Sequence, residues 1–135
     1  MMKQFLAALL VIWLFPISAG AQTTDTIEDV ISQQLEAFKN RDVSTAFGYA
    51  SPMIKRLFGN PQRFGAMVAQ GYPMVWDNRE VRFLEQREID GVLYQKVLLR
   101  GPMGRLHVIV YRMIQIPTGW QIDGVDLFQA PDLGV

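Results

Sequence analysis

The chain offers few groups for chemistry. It has one histidine, His107, and no cysteine. Thiol catalysis, disulfides and cysteine metal sites are therefore excluded. One histidine without cysteine cannot fill a typical zinc shell. Asp77, Glu80, Glu85, Glu88 and Asp90 are scattered without calcium-loop spacing and read as solvated charges. No metal or other cofactor is expected. Ser51 stands before Pro52, where a serine suits a helix cap better than a nucleophile. His107 is the residue type for a base near neutral pH. On a strand it shares a face with Arg105, Ile109, Tyr111 and Met113, while Leu106, Val108, Val110 and Ile114 line the other. The second set is the more apolar, so the core is expected there and His107 on the outer face. Arg105, His107, Tyr111 and Met113 then form a mixed surface suited to a protein partner or a second copy of the chain.

Proton transfer would have to use a carboxylate with a tyrosine. Asp123 and Asp126, with Tyr72, Tyr94 and Tyr111, are the available pieces. Alternation puts Asp123 on the face opposite Trp120 and Ile122, so one shared cavity needs a bulge, which Gly124 can host. No catalytic residue is assigned. Tyr72, Trp76, Met53, Met67 and Met74 cluster where helices give way to strands. Flexible methionines and aromatics either fill a core or line an adaptable apolar site. The candidate pocket set is Phe58, Phe64, Met67, Tyr72, Trp76 and Trp120.

These residues need elements to hold them. Asp25, with Glu28 three residues on, reads as the cap of a helix over about residues 26–39. Ile27, Val30, Ile31, Leu35 and Phe38 repeat at helical spacing. Asp42 caps a short second helix. The stretch "YASPMIKRLFGNPQRF" then holds two cap-plus-proline devices, Ser51-Pro52 and Asn60-Pro61, each opening a helix. Gly59 closes the helix between them and Gly71 the one after. From about Arg79 the texture changes to short alternating segments. Strands are expected over about 79–88, 92–100, 105–116 and 120–128, with turns at Asp90-Gly91, Gly101 to Gly104 and Pro117 to Gly119. A tail follows from Gln129. Helices first, then an antiparallel meander, give an α+β fold with helices on one face of a curved sheet.

The first residues, "MMKQFLAALLVIWLFPISAGA", have one cation, a short apolar run broken by Pro16, and an Ala-Gly-Ala end. That is the form of a secretory signal peptide over residues 1–21, cut after Ala21. The apolar run is too short to span a bilayer, so the membrane is met only before cleavage. The alternative is a leader retained as an anchor. Removing 21 of 135 residues leaves 114, enough for one domain with its own core, over residues 22–135. Removing Lys3 leaves 12 basic against 13 acidic residues, with no basic cluster to hold nucleic acid.

Gln34, Ala37-Phe38 and Asp42 are followed by Ala46-Phe47, Ala50-Ser51-Pro52, Phe58-Gly59, Phe64, Met67-Val68 and Tyr72, with a closing Gly119-Trp120-Gln121-Ile122. This set resembles a bacterial family known as domain of unknown function 4864, over nearly the whole chain after the leader. That family carries no established activity, so the resemblance implies no catalytic residues. The layout is also similar to the nuclear transport factor 2-like group, a cone of helices over a curved sheet. That group contains enzymes, ligand-binding proteins and dimerisation modules, so fold does not decide function. The expectation is a non-enzymatic periplasmic module that binds a small apolar ligand or a protein partner. The alternative is a small lyase, isomerase or hydrolase using an Asp and a Tyr in the cone pocket.

Overall fold

A computed structural model describes residues 25–128. The expected leader and the tail from Gln129 lie outside them. Helix α1 spans Ile27–Lys39. Its cap is Thr26, one residue after the expected Asp25: Thr26 Oγ1 accepts from Asp29 N–H, and Asp29 accepts from Thr26 N–H. Both pairs have cap spacing, and the hydroxyl with the aspartate closes the reciprocal box. Helices α2 (Val43–Gly48), α3 (Pro52–Phe58) and α4 (Pro61–Gly71) start at the expected caps Asp42, Ser51 and Asn60. Gly59, with φ 82°, makes the left-handed corner between α3 and α4. A single turn, α5 (Pro73–Trp76), was not anticipated; Pro73 opens it as the other two prolines open theirs.

Four strands follow: β1 (Glu80–Ile89), β2 (Val92–Arg100), β3 (Leu106–Ile116) and β4 (Gly119–Leu127). They form one antiparallel sheet in sequence order. Asp90 and Gly91 both have positive φ, as a two-residue hairpin turn requires. The fold is α+β, with helices covering one face of the sheet. Ile31, Leu35, Phe38, Ala46, Phe64, Val68, Met74 and Val75 from the helices meet Val97, Leu99, Ile109, Tyr111, Met113 and Ile122 from the strands.

The core face of β3 is the opposite of the expected one. Ile109, Tyr111 and Met113 are fully buried, while Val108, Val110 and Ile114 are half-exposed and Leu106 is exposed. The cross-strand register explains this. Tyr111 stands opposite Gln95 and Ile109 opposite Val97, both on the buried face of β2. The exposed face, with Leu106, Val108, Val110, Ile114 and Ile116, is the more apolar one, yet pairing with β2 decides which face turns inward. Gln95 is itself buried, on the same face of β2 as Val97 and Leu99, next to the point where β1 shifts register between Phe83 and Gln86. Its Nε2 donates to the oxygens of Leu84 and Lys96, satisfying backbone that the irregularity leaves over.

Candidate functional site

Between the helices and β4 lies a cavity of about 260 Å³. Phe38 of α1 and Phe64, Met67 and Val68 of α4 form its inner side, and Ile122 and Val125 of β4 its floor. Met53, Ile54, Leu57 and Phe58 close it from α3. No residue of α3 is buried. Leu57 is 73% exposed and Met53 43% although both line the cavity, so they mark its mouth.

The local sequence builds this opening. The segment before α3 pairs with the free edge of β4: Ser51 N–H donates to the Ile122 oxygen at 2.8 Å, and Ile122 N–H to the Tyr49 oxygen at 2.9 Å. Ser51 then caps α3, its side-chain oxygen accepting from Ile54 N–H. So α3 is fixed at its N-terminus to the sheet edge and turns away at Gly59. Beyond Ile122, Asp123 is an extra residue in β4: Arg112 stands opposite Gly124, and Met113 opposite Ile122. This bulge brings Asp123, Gly124 and Val125 to the cavity wall.

Polar groups at the wall are committed elsewhere. Tyr72 donates its phenol to the Val125 oxygen at 3.1 Å. Asp123 forms an ion pair with Arg112, Oδ2 to Nε 3.2 Å, and Arg112 also donates to the Asp123 oxygen. Gln34 donates its amide to the Ala46 oxygen. Asp123 and Tyr72 share the cavity, yet no hydrogen bond joins them. Tyr111 lies in the core away from the cavity, and its complete burial pushes the phenol well above the usual tyrosine range. It stays protonated and is no proton acceptor at neutral pH.

Of the expected pocket residues, Phe58, Phe64, Met67 and Tyr72 line the cavity. Trp76 does not. It packs on Phe38 and lies under the Arg41 guanidinium, 4.1 Å from the ring centroid, because the unforeseen turn α5 carries it outward. Trp120 does not either. It sits opposite Gln115 by the β3–β4 turn and borders a separate cleft with Leu93 and Met113. Met74 is core, packed under Gly101. The expected interface also changes. Tyr111 and Met113 are buried and offer no surface. Arg105 is exposed and His107 half-buried at the start of β3, beside Gly101 and outside the cavity. The open face of the sheet instead carries Leu98, Leu106, Val108 and Val110 among Arg82, Lys96 and Arg100. Sequence reading missed Met53, Ile54 and Leu57 as cavity walls beyond naming Met53 near the site. Their helical spacing with Phe58 along one side of α3 was the available signal.

Among the described residues there is no group of three or more metal-binding side chains. No described helix is long and apolar enough to cross a membrane. No curated protein and no solved structure matches the chain. A family model, described as a domain of unknown function (DUF4864), matches residues 20–135. That span includes every element that shapes the cavity, and the chain belongs to the DUF4864 family.

Proposed function

We propose that this chain is a non-catalytic module, exported to the periplasm and built as a nuclear transport factor 2-like cone, that holds a small apolar molecule in the cavity under α3. One observation carries the reading. The wall is made almost entirely of aliphatic, aromatic and methionine side chains, and its few polar groups already have partners. Ligand sites are typically mostly apolar with a few placed polar groups. At about 260 Å³ the cavity falls just below the ~300–1,000 Å³ of drug-sized sites, so the ligand is smaller than that class. An enzyme needs a positioned acid or base facing free space. Asp123 faces Arg112 and Tyr72 faces Val125, which argues against the lyase, isomerase or hydrolase alternative.

Native mass spectrometry on protein purified from the periplasm of its own host tests this. The expected result is a small non-covalent adduct released on heating. Recovery of the protein only from the cytoplasm would remove the export half. Turnover of a carbonyl or ester substrate abolished by Asp123→Asn would replace the binding reading with the enzymatic one.

A second reading concerns the open sheet face. Exposed Leu106 and half-exposed Leu98, Val108 and Val110 adjoin across β2 and β3. With Arg82, Lys96 and Arg100 opposite them in the register, they make a mixed apolar and charged surface of the kind found at interfaces, and a second copy of the chain is the partner this reading assigns. Light scattering decides it: a dimer that Val108→Lys dissolves supports it, and a monomer at high concentration sinks it.

A further inference from the structure

We infer that the cavity's ligand is an amphiphile with an anionic head, its tail under α3 and its head at the arginine-bearing mouth. This rests on the cavity reading above and names the ligand class. Residues 43–76, which contain α2 to α5, hold no acidic side chain but carry Lys55, Arg56 and Arg63. In a chain with equal numbers of acidic and basic residues, that is a local excess of positive charge at one region. Its placement is what matters. Arg56 follows Met53 by three residues on α3, and Arg63 precedes Met67 by four on α4. Residues at these spacings are surface neighbours on a helix. Each arginine therefore adjoins a methionine that lines the cavity, and both arginines are exposed.

The cations are also uncommitted. None of Lys55, Arg56 and Arg63 joins an ion pair among the described residues. Lys55 donates only to the Gly48 oxygen, and Arg56 and Arg63 make no side-chain hydrogen bond there. The one carboxylate on the cavity wall, Asp123, is matched by Arg112, so it does not oppose an anionic head. Leu57, 73% exposed beside Arg56, gives the head a path to water while the tail stays covered. An apolar slot with exposed guanidinium groups one helical turn from two of its wall residues suits a carboxylate or a phosphate head, since arginine binds both bidentately.

The test uses the purified protein with octanoate and 1-octanol, which share a tail and differ in the head. Isothermal titration should show octanoate binding about tenfold more tightly at low salt, the scale of two exposed charge contacts. In the Arg56→Gln, Arg63→Gln double variant the gap should close while 1-octanol affinity stays the same. Both side chains are exposed and unpaired, so the variant keeps the fold, checked by an unchanged melting curve. Equal binding of the two compounds by the parent protein would overturn the anionic-head inference and leave the apolar cavity standing. A gap that survives in the variant would overturn the role of these arginines. Failure of both compounds would overturn the cavity reading itself. Co-sedimentation with phosphatidylglycerol vesicles without octanoate binding would make a bilayer the partner and also overturn it.

Discussion

The Tyr72 phenol reaches from the end of α4 to the backbone oxygen of Val125 on β4, 53 residues away in sequence. With the Tyr49 and Ser51 contacts to Ile122, it gives the free edge of β4 partners from the helical half. An unpaired edge is otherwise a template for association. Tyr72, Ile122 and Val125 also wall the cavity, so edge protection and pocket formation share residues. Tyr72→Phe keeps the ring in the wall and removes only the hydrogen bond. It should lower unfolding free energy by about 0.5–1.5 kcal/mol in urea titrations. A much larger loss would mean that the phenol holds more than this contact.

Arg41 makes a second long-range tie. Its backbone is left-handed, φ 58°, in the turn between α1 and α2. Its guanidinium stacks on Trp76, donates to the Trp76 and Phe38 oxygens and pairs with Asp77. Arg41→Lys keeps the charge but loses the planar stack and the fork. The expected cost is about 1–2 kcal/mol, with a shift in Trp76 fluorescence. An unchanged emission spectrum would mean that the stack does not persist in solution.

Gly65 sits where α4 crosses α2. A methyl group there would lie 2.5 Å from Val43 Cγ1, inside contact distance. Alanine normally improves a helix by ~1 kcal/mol, while overpacking costs ~1–3 kcal/mol. Gly65→Ala should therefore destabilise, and Val43→Ala in the same chain should recover part of the loss. Two losses that simply add would show that the clash is not the cause.

Asp42 gives the fold a readable pH limb. Its carboxylate accepts from the Thr45 hydroxyl and N–H, and these bonds hold it below its ordinary value of 3.8. The unfolded chain then binds the proton first as pH falls. The stabilisation is complete above 3.8 and is lost as pH drops from there through the lowered folded-state value. Asn also caps helices but does not titrate. Asp42→Asn should flatten that acid limb in denaturation curves taken from pH 5 downward, about the range where carboxylates charge.

Local chemistry was the most legible part of the sequence. Ser51-Pro52, Asn60-Pro61 and Asp90-Gly91 each fix a cap or a turn within a few residues, and each stands where the spacing placed it. The inward face of β3 was not legible, because the face that turns outward, with Leu106, Val108, Val110 and Ile114, is the more apolar of the two. What decides it is the pairing of Tyr111 with Gln95, a long-range fact. The cavity was half legible for the same reason. Phe58, Phe64, Met67 and Tyr72 converge through helix spacing, whereas Trp76 is turned away by α5 and Trp120 is held at a distant hairpin.

Ile54 offers the sharpest test of the cavity as a binding site. It is half-buried on α3, lines the cavity and has no polar partner through its side chain. Ile54→Trp would place an indole in space the ligand needs. Filling an existing void commonly adds about 0.5–2 kcal/mol, so the variant should melt at or above the parent temperature. A misfolded variant would instead melt lower and broaden. In the folded variant, 1-octanol should no longer raise the melting temperature, because stabilisation by a ligand follows its affinity for the native state. If 1-octanol still stabilises Ile54→Trp as it does the parent, the molecule binds elsewhere, and the space beneath α3 is only a packing gap.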